Sequence, residues 1–129
     1  MQAYSILTIY FLRRHILKLE GIQSHLLICN GKSCMRGGAD HVTNAIRTCI
    51  EVEKLTSTVH TTRTLCNGMC KEAPVVIHYP SGQWFTRMTP ETGKSLVHAL
   101  AANEMYIPHL SHTYENDCFR PYHKPRYND

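Results

Sequence analysis

Residues 26–38 read LLICNGKSCMRGG, an apolar run that leads into a loop with two cysteines and then into two glycines. The apolar run is typical of a buried β-strand, and the glycines allow a sharp turn into the helical pattern that follows. Cys29 and Cys34 are separated by four residues in this loop. The stretch therefore predicts a functional site at the end of a strand.

A second loop repeats this chemistry, since residues 65–71 read LCNGMCK and place Cys66 and Cys70 three residues apart. Each Asn-Gly pair favours a tight turn with positive φ, which directs backbone N–H groups towards the sulfurs. Four converging thiolates can hold zinc or an iron-sulfur cluster, because both need deprotonated sulfur ligands at fixed short range. The small residues of the first loop leave room for a bulky group, so the loops suit a cluster better than a bare metal ion.

These two spacings, followed by PVVI at residues 74–77 and PSGQW at residues 80–84, resemble the thioredoxin-like 2Fe-2S ferredoxin family. That family includes the ferredoxin-like small subunit of respiratory complex I, and the resemblance spans residues 25–100. It implies that one 2Fe-2S cluster is bound by four ligands, Cys29, Cys34, Cys66 and Cys70. It also implies an electron carrier that passes single electrons to or from a redox partner, which is either no enzyme itself or the redox subunit of a larger enzyme.

Two other classes of protein stay open as alternatives. A structural zinc protein with four cysteine ligands is one, although zinc ribbons and fingers more often use spacings of about two residues. A thiol-disulfide redox protein is the other, since the topology would allow it. The Cys-x-x-Cys motif that lowers the pKa of a thiol at a helix N-terminus is absent from the sequence.

The predicted elements follow the order β-α-β and then β-β-α, which matches the thioredoxin-like α/β fold that the resemblance implies, with one mixed four-stranded sheet and two helices. The predicted strands are residues 25–29, 58–64, 74–79 and 84–88. The predicted helices run over residues 39–55 and, after the cap Thr89, from Pro90 to about residue 101. We divide the chain into an N-terminal helical extension at 1–23, a thioredoxin-like ferredoxin domain at 24–102 and an irregular C-terminal tail at 103–129.

The remaining cysteines and histidines have simpler interpretations. Cys49 falls on the buried stripe of the first predicted helix, where a free cysteine behaves as a small hydrophobe. Cys118 is expected to be an exposed thiol of the tail. Four histidines could form a second metal site, one from the predicted second helix and three from the tail: His98, His109, His112 and His123. The alternative is that these side chains are simply solvated.

The composition limits the partners and the compartment. Lys and Arg exceed Asp and Glu by 14 to 10, a formal charge of +4 that is too small and scattered for nucleic-acid binding. The apolar run at residues 6–12 lacks the features of a signal peptide and is too short to cross a bilayer. Reduced, clustered thiols then indicate a cytoplasmic protein. Four basic residues form a rim around the loops: Lys32, Arg36, Arg63 and Lys71. This basic rim predicts a redox partner with an acidic docking surface. A homodimer or a place as a subunit of a redox complex is also compatible.

Overall fold

The computed structural model describes residues 19–123, in which six strands form one mixed sheet in the order β2-β1-β3-β4-β5-β6. Strands β1 and β2 are parallel, and all other neighbours are antiparallel. The strands are β1 (Ser24–Cys29), β2 (Val59–Thr64), β3 (Val76–Tyr79), β4 (Gln83–Phe85), β5 (Leu110–Glu115) and β6 (Cys118–Pro121).

Three α-helices accompany the sheet: α1 (Lys32–Arg36), α2 (Ala39–Val52) and α3 (Pro90–Ala101). A short 3-10 turn lies between β2 and β3, at Cys70–Glu72. The predicted cap of α3 is confirmed, because the Thr89 side chain accepts from the N–H of Thr92 while the Thr92 side chain accepts from the N–H of Thr89. The mixed sheet and the two long helices agree with the predicted thioredoxin-like α/β fold.

The two long helices lie on one face of the sheet, and the core is formed between these layers. Leu26 and Ile28 of β1 point into it and are fully buried together with Ile46 of α2 and Leu96 of α3. Because side chains alternate along a strand, Leu27 and Cys29 point to the other face. That second face carries a smaller apolar cluster, which includes both cysteines of the first loop. The site predicted at the end of β1 therefore lies on the face of the sheet that α2 and α3 do not cover.

The predicted count of four strands and two helices is wrong. Residues 110–121, which we predicted to belong to an irregular tail, form the hairpin β5–β6 and extend the sheet to six strands. Its two-residue loop, Asn116 and Asp117, has φ values of 51° and 66°, as a tight hairpin turn requires. The additional helix is α1, a single short segment inside the stretch that we predicted as a loop.

The N-terminal extension predicted at 1–23 lies mostly outside the described residues. Among residues 19–123, none of the helices combines the length and the apolar character that a transmembrane helix needs.

The contact between α2 and α3 gives a first testable prediction. A Cβ added at Gly93 of α3 would lie 2.9 Å from Cγ1 of Ile46 on α2. Although alanine gains about 1 kcal/mol of helix propensity over glycine, overpacking costs roughly 1–3 kcal/mol. We therefore expect Gly93→Ala to lower the urea midpoint of unfolding. Ser95→Ala, on the exposed side of the same helix, should leave it nearly unchanged, and a more stable Gly93→Ala protein would contradict the helix contact.

Candidate metal centre

The four cysteines of the two loops line one small cavity, together with Gly31, Ser33, Met69 and Val75. Cys29 ends β1 and Cys34 lies in α1, and both are 2% exposed. Cys66 follows β2 and Cys70 opens the 3-10 turn, and both are exposed. The parallel pairing of β1 with β2 explains the convergence, because the ends of the two strands meet at the same edge of the sheet and each continues into one cysteine loop.

The thiols are held as two pairs. The Sγ atoms of Cys66 and Cys70 are 3.2 Å apart, whereas Cys29 and Cys34 are buried in one apolar cluster, where the Cys29 thiol donates to the Leu65 carbonyl over 3.5 Å. The Gly68 N–H donates to the Cys66 sulfur over 3.3 Å, and this bond lowers the pKa of that thiol. Glycine suits this place because the Gly68 φ is +89°. The turn predicted from Cys-Asn-Gly in the second loop thus provides an N–H donor to sulfur.

Cys34 and Cys70, one thiol of each pair, both have raised pKa values. Burial, with the neighbouring Cys29 thiol as the next cause, raises the pKa of Cys34 to about 11. The pKa of Cys70 is raised because its thiol is hydrogen-bonded to Cys66. A metal or cluster bound here would displace these protons, since thiolates and not thiols are the ligands.

The donor set fits a two-iron cluster in number and in grouping. A 2Fe-2S cluster takes four cysteine thiolates, and two loops here bring two each to one cavity. No three Cys, His, Asp or Glu side chains between residues 19 and 123 are arranged to hold a single metal ion. The geometry thus provides convergent pairs of sulfurs, and the role of each cysteine as a ligand stays a prediction.

The other candidate residues lie apart from this cavity. Cys49 is buried on α2 as predicted, and Cys118 is exposed, although on strand β6 and not in a tail. The histidines of the predicted second metal site have separate contacts: His98 lies 3.4 Å from Glu53, His109 contacts the Thr86 carbonyl and His112 contacts Ser111. Among residues 19–123 these histidines, His123 included, form no group of three that could hold a metal ion.

Three of the four predicted rim cations are exposed and are not neutralised by an ion pair among residues 19–123: Lys32, Arg36 and Lys71. Arg63 instead forms an ion pair with Asp40 over 2.9 Å. The positive surface around the cavity is therefore smaller than the sequence predicted.

Sequence reasoning missed an aromatic groove of about 320 Å³ that borders the second loop. It is lined by Asn67, Met69, Trp84, His112 and Phe119, and the rings of Trp84 and Phe119 pack edge to face at 6.1 Å. The groove depends on the hairpin β5–β6. The signal that could have revealed it was the Asn116-Asp117 pair flanked by Thr113, Tyr114 and Phe119, a pattern typical of a hairpin.

Residues 1–101 match the family model described as thioredoxin-like [2Fe-2S] ferredoxin. A protein of Priestia megaterium named "Putative 2Fe-2S ferredoxin" is 51% identical over 79 residues, which are 61% of this chain. The chain spans 61% of the length of that relative.

Solved structures show the same fold. The structure of a thioredoxin-like [2Fe-2S] ferredoxin from Aquifex aeolicus superposes with a TM-score of 0.66 at 24% identity, covering 74% of this chain and 96% of that one. A chain of an NAD+-reducing [NiFe]-hydrogenase superposes with a TM-score of 0.54 at 12% identity and covers 64% of this chain and 15% of that one. At these identities the likeness establishes the fold alone.

Proposed function

This chain belongs to the thioredoxin-like [2Fe-2S] ferredoxin family, and we propose that it carries single electrons on a 2Fe-2S cluster held by Cys29, Cys34, Cys66 and Cys70. The cluster itself follows from the family. The assignment of its ligands is supported above all by the convergence of these four thiols, and of no other cysteine, on one cavity at the edge of the sheet. The chain's task is to anchor the cluster, to supply N–H donors to sulfur and to set the potential, while the iron supplies the redox chemistry.

The unequal burial of the two cysteine pairs indicates which of the two loops exchanges electrons with the partner. Cys29 and Cys34 are buried, whereas Cys66 and Cys70 face solvent. Added negative charge is stabilised better where water and N–H donors reach it than in an apolar core. The Gly68 N–H adds a donor on that side. Electrons are therefore exchanged through the exposed second loop, and the partner contacts that loop.

Protein purified without oxygen tests the cofactor and its class in one preparation. We expect a red-brown protein with about two iron and two sulfide per chain. A colourless protein with bound zinc would support the structural zinc alternative, and metal-free protein with a redox-active dithiol would support the thiol-disulfide alternative. Either result would overturn the electron-carrier proposal.

The distance between the two loops gives the next prediction. A Cβ at Gly31 would lie 3.0 Å from the Cα, Cβ and N atoms of Cys66, which are backbone and near-backbone atoms that cannot yield easily. Gly31→Ala should therefore separate the loops and lower the iron content of the purified protein. The Gly31 φ of −62° is open to any residue, so backbone strain does not contribute.

Gly68→Ala is the matched control, because its added Cβ meets nothing within 4 Å but must adopt a φ of +89°. That strain costs about 1–2 kcal/mol but, unlike the added Cβ at Gly31, pushes no atom of one loop against the other. We expect Gly31→Ala to lose its cluster absorbance several-fold faster than Gly68→Ala during incubation in air. Equal rates would mean that the close approach of Gly31 to Cys66 does not matter for cluster binding.

The basic rim gives a prediction about the redox partner, for which we propose an acidic docking surface. Steering by opposite charges accelerates encounter and weakens as salt screens it, over a Debye length of about 10 Å at 0.1 M. With a flavoprotein reductase as the probe, the second-order rate should fall as ionic strength rises. Lys32→Glu with Lys71→Glu should lower the rate at low salt by roughly tenfold or more.

The control for this variant is Lys54→Glu with Lys94→Glu. It makes the same charge change on exposed residues beside the C-terminal half of α2, whereas Cys29 and Cys34 of the cavity lie near the N-terminus of that helix. It should keep the parent rate. A rate that does not depend on salt, with a change only in midpoint potential for the rim variant, would show that the rim tunes the cluster and does not select a partner.

A further inference from the structure

Two histidines face each other across the parallel strands at the end of the sheet away from the cysteines. His25 of β1 lies directly opposite His60 of β2, with ring centroids 4.9 Å apart and ring planes at 57°. Both side chains point to the face that the helices leave uncovered, because Leu26 and Val59 beside them point into the core. Both are partly exposed. The pair is therefore fixed by the backbone register and open to solvent.

A hydroxyl group orients the first of these rings. The Nε2 atom of His25 lies 2.7 Å from Oγ1 of Thr62, two residues along β2 from His60 and on the same face. When Nε2 donates its proton to this oxygen, Nδ1 is left with a free lone pair. Metal-binding histidines almost always donate their second ring N–H in this way, which fixes the tautomer and the ring orientation. Burial, with His60 as the smaller cause, lowers the pKa of His25 and so favours the neutral ring that a metal requires.

We propose that His25 and His60 together bind one divalent first-row transition ion, with water in the remaining positions. Imidazole is a preferred ligand of Ni²⁺, Cu²⁺ and Zn²⁺, and affinity rises in that family towards Cu²⁺. Two protein ligands give an accessory site of moderate affinity, not a closed structural one. The site is separate from the cysteines, because Cys29 follows His25 by four residues, about 13 Å along an extended strand.

The ion would act as a clip between two strands. Within residues 19–123, β2 is an edge strand that pairs with β1 alone, and the loop that carries Cys66 follows it directly. An ion shared by the two histidines binds the folded pairing and not the unfolded chain, so it stabilises the protein by mass action. The proposal does not rest on the identity of the cluster.

Titration with NiCl₂ tests the site, using untagged, cluster-containing, oxidised protein in a buffer that does not chelate metals. Calorimetry should show one site in the parent protein. Either His25→Ala or His60→Ala should weaken its affinity by at least about tenfold, and Thr62→Val by roughly tenfold through loss of the orienting hydroxyl. In a parallel titration with diamagnetic Zn²⁺, the imidazole resonances of His25 and His60 should shift together.

His41→Ala, an exposed histidine on α2, is the control and should bind Ni²⁺ like the parent. The cluster spectrum of each variant verifies that it has folded, and His60→Gln replaces His60→Ala if alanine disturbs the edge strand. Absence of Ni²⁺ binding in the parent would overturn the proposal. So would equal binding in the parent and in both histidine variants, because the ion would then be adventitious.

Discussion

Cys29→Ala protein should be purified with little or no 2Fe-2S cluster. Removal of one of four thiolates leaves one iron undercoordinated. Cluster binding also stabilises the folded loops, so its loss is self-reinforcing. The effect is expected to be nearly complete in visible absorbance, iron and sulfide. Cys66→Ala should behave alike, although its thiol is exposed and that of Cys29 is buried.

Each of these variants has a matched control within the chain. Cys49 is buried on α2, 8% exposed, and lines no part of the cavity, so Cys49→Ala repeats the loss of a buried cysteine without the loss of a ligand. Cys118→Ala does the same for an exposed cysteine. Both should keep full iron and colour. Equal cluster loss in Cys29→Ala and Cys49→Ala, or full iron in Cys66→Ala, would refute the ligand assignment.

Apart from the short helix α1, the order of strands and α-helices up to residue 101 could be predicted because the local signals agree with the tertiary fold. Apolar runs of strand length precede β-turn residues, and the apolar stripe of α2 has a helical period. Strand ends were less certain: β3 begins at Val76 and not at residue 74, and β4 ends at Phe85 and not at residue 88. Residues 86–88 instead bond to backbone groups outside β3, as when the Met88 N–H donates to the Pro74 carbonyl.

The hairpin β5–β6 was missed for a physical reason. Its strands contain few aliphatic residues, and β6 is exposed along its whole length, so neither shows a clear alternation of apolar and polar residues. The pairing is further irregular where β5 joins the sheet, since a bulge shifts the register between Trp84 and Phe85. A bulge reverses the side-chain faces, so a period of two cannot run through it.

The candidate site was more predictable in its members than in its environment. Repetition of Cys-Asn-Gly in two loops is a local pattern, and the parallel pairing of the preceding strands brings the loops together. What the sequence could not provide was the contrast between two buried and two exposed cysteines. Nor could it reveal that Asp40 pairs with Arg63 and so removes one charge from the basic rim. Both depend on contacts between residues distant in the chain.

Phe85→Ala should destabilise the protein more than the core substitution Gly93→Ala does. Phe85 is fully buried, lies opposite Val76 on one side and Leu110 on the other, and packs against the Tyr106 ring at 5.8 Å. Truncation of a buried phenylalanine to alanine costs roughly 3–5 kcal/mol, because burial is lost and a cavity remains. With a urea dependence of about 1–3 kcal/mol per molar, the midpoint of cluster bleaching should fall by roughly 2 M.

Phe119→Ala is the control that distinguishes the loss of a buried core side chain from the loss of any phenylalanine. The same substitution is made in the same sheet, but Phe119 is 46% exposed on the uncovered face and contacts the rings of Trp84 and Tyr114. Loss of each such edge-to-face contact costs about 0.5–1.5 kcal/mol, so its midpoint should fall by clearly less than that of Phe85→Ala. Equal shifts for the two variants would mean that the β5–β6 hairpin supports the cluster domain as strongly as the helix-covered core does, and the division of the sheet into a structural and an uncovered face would be wrong.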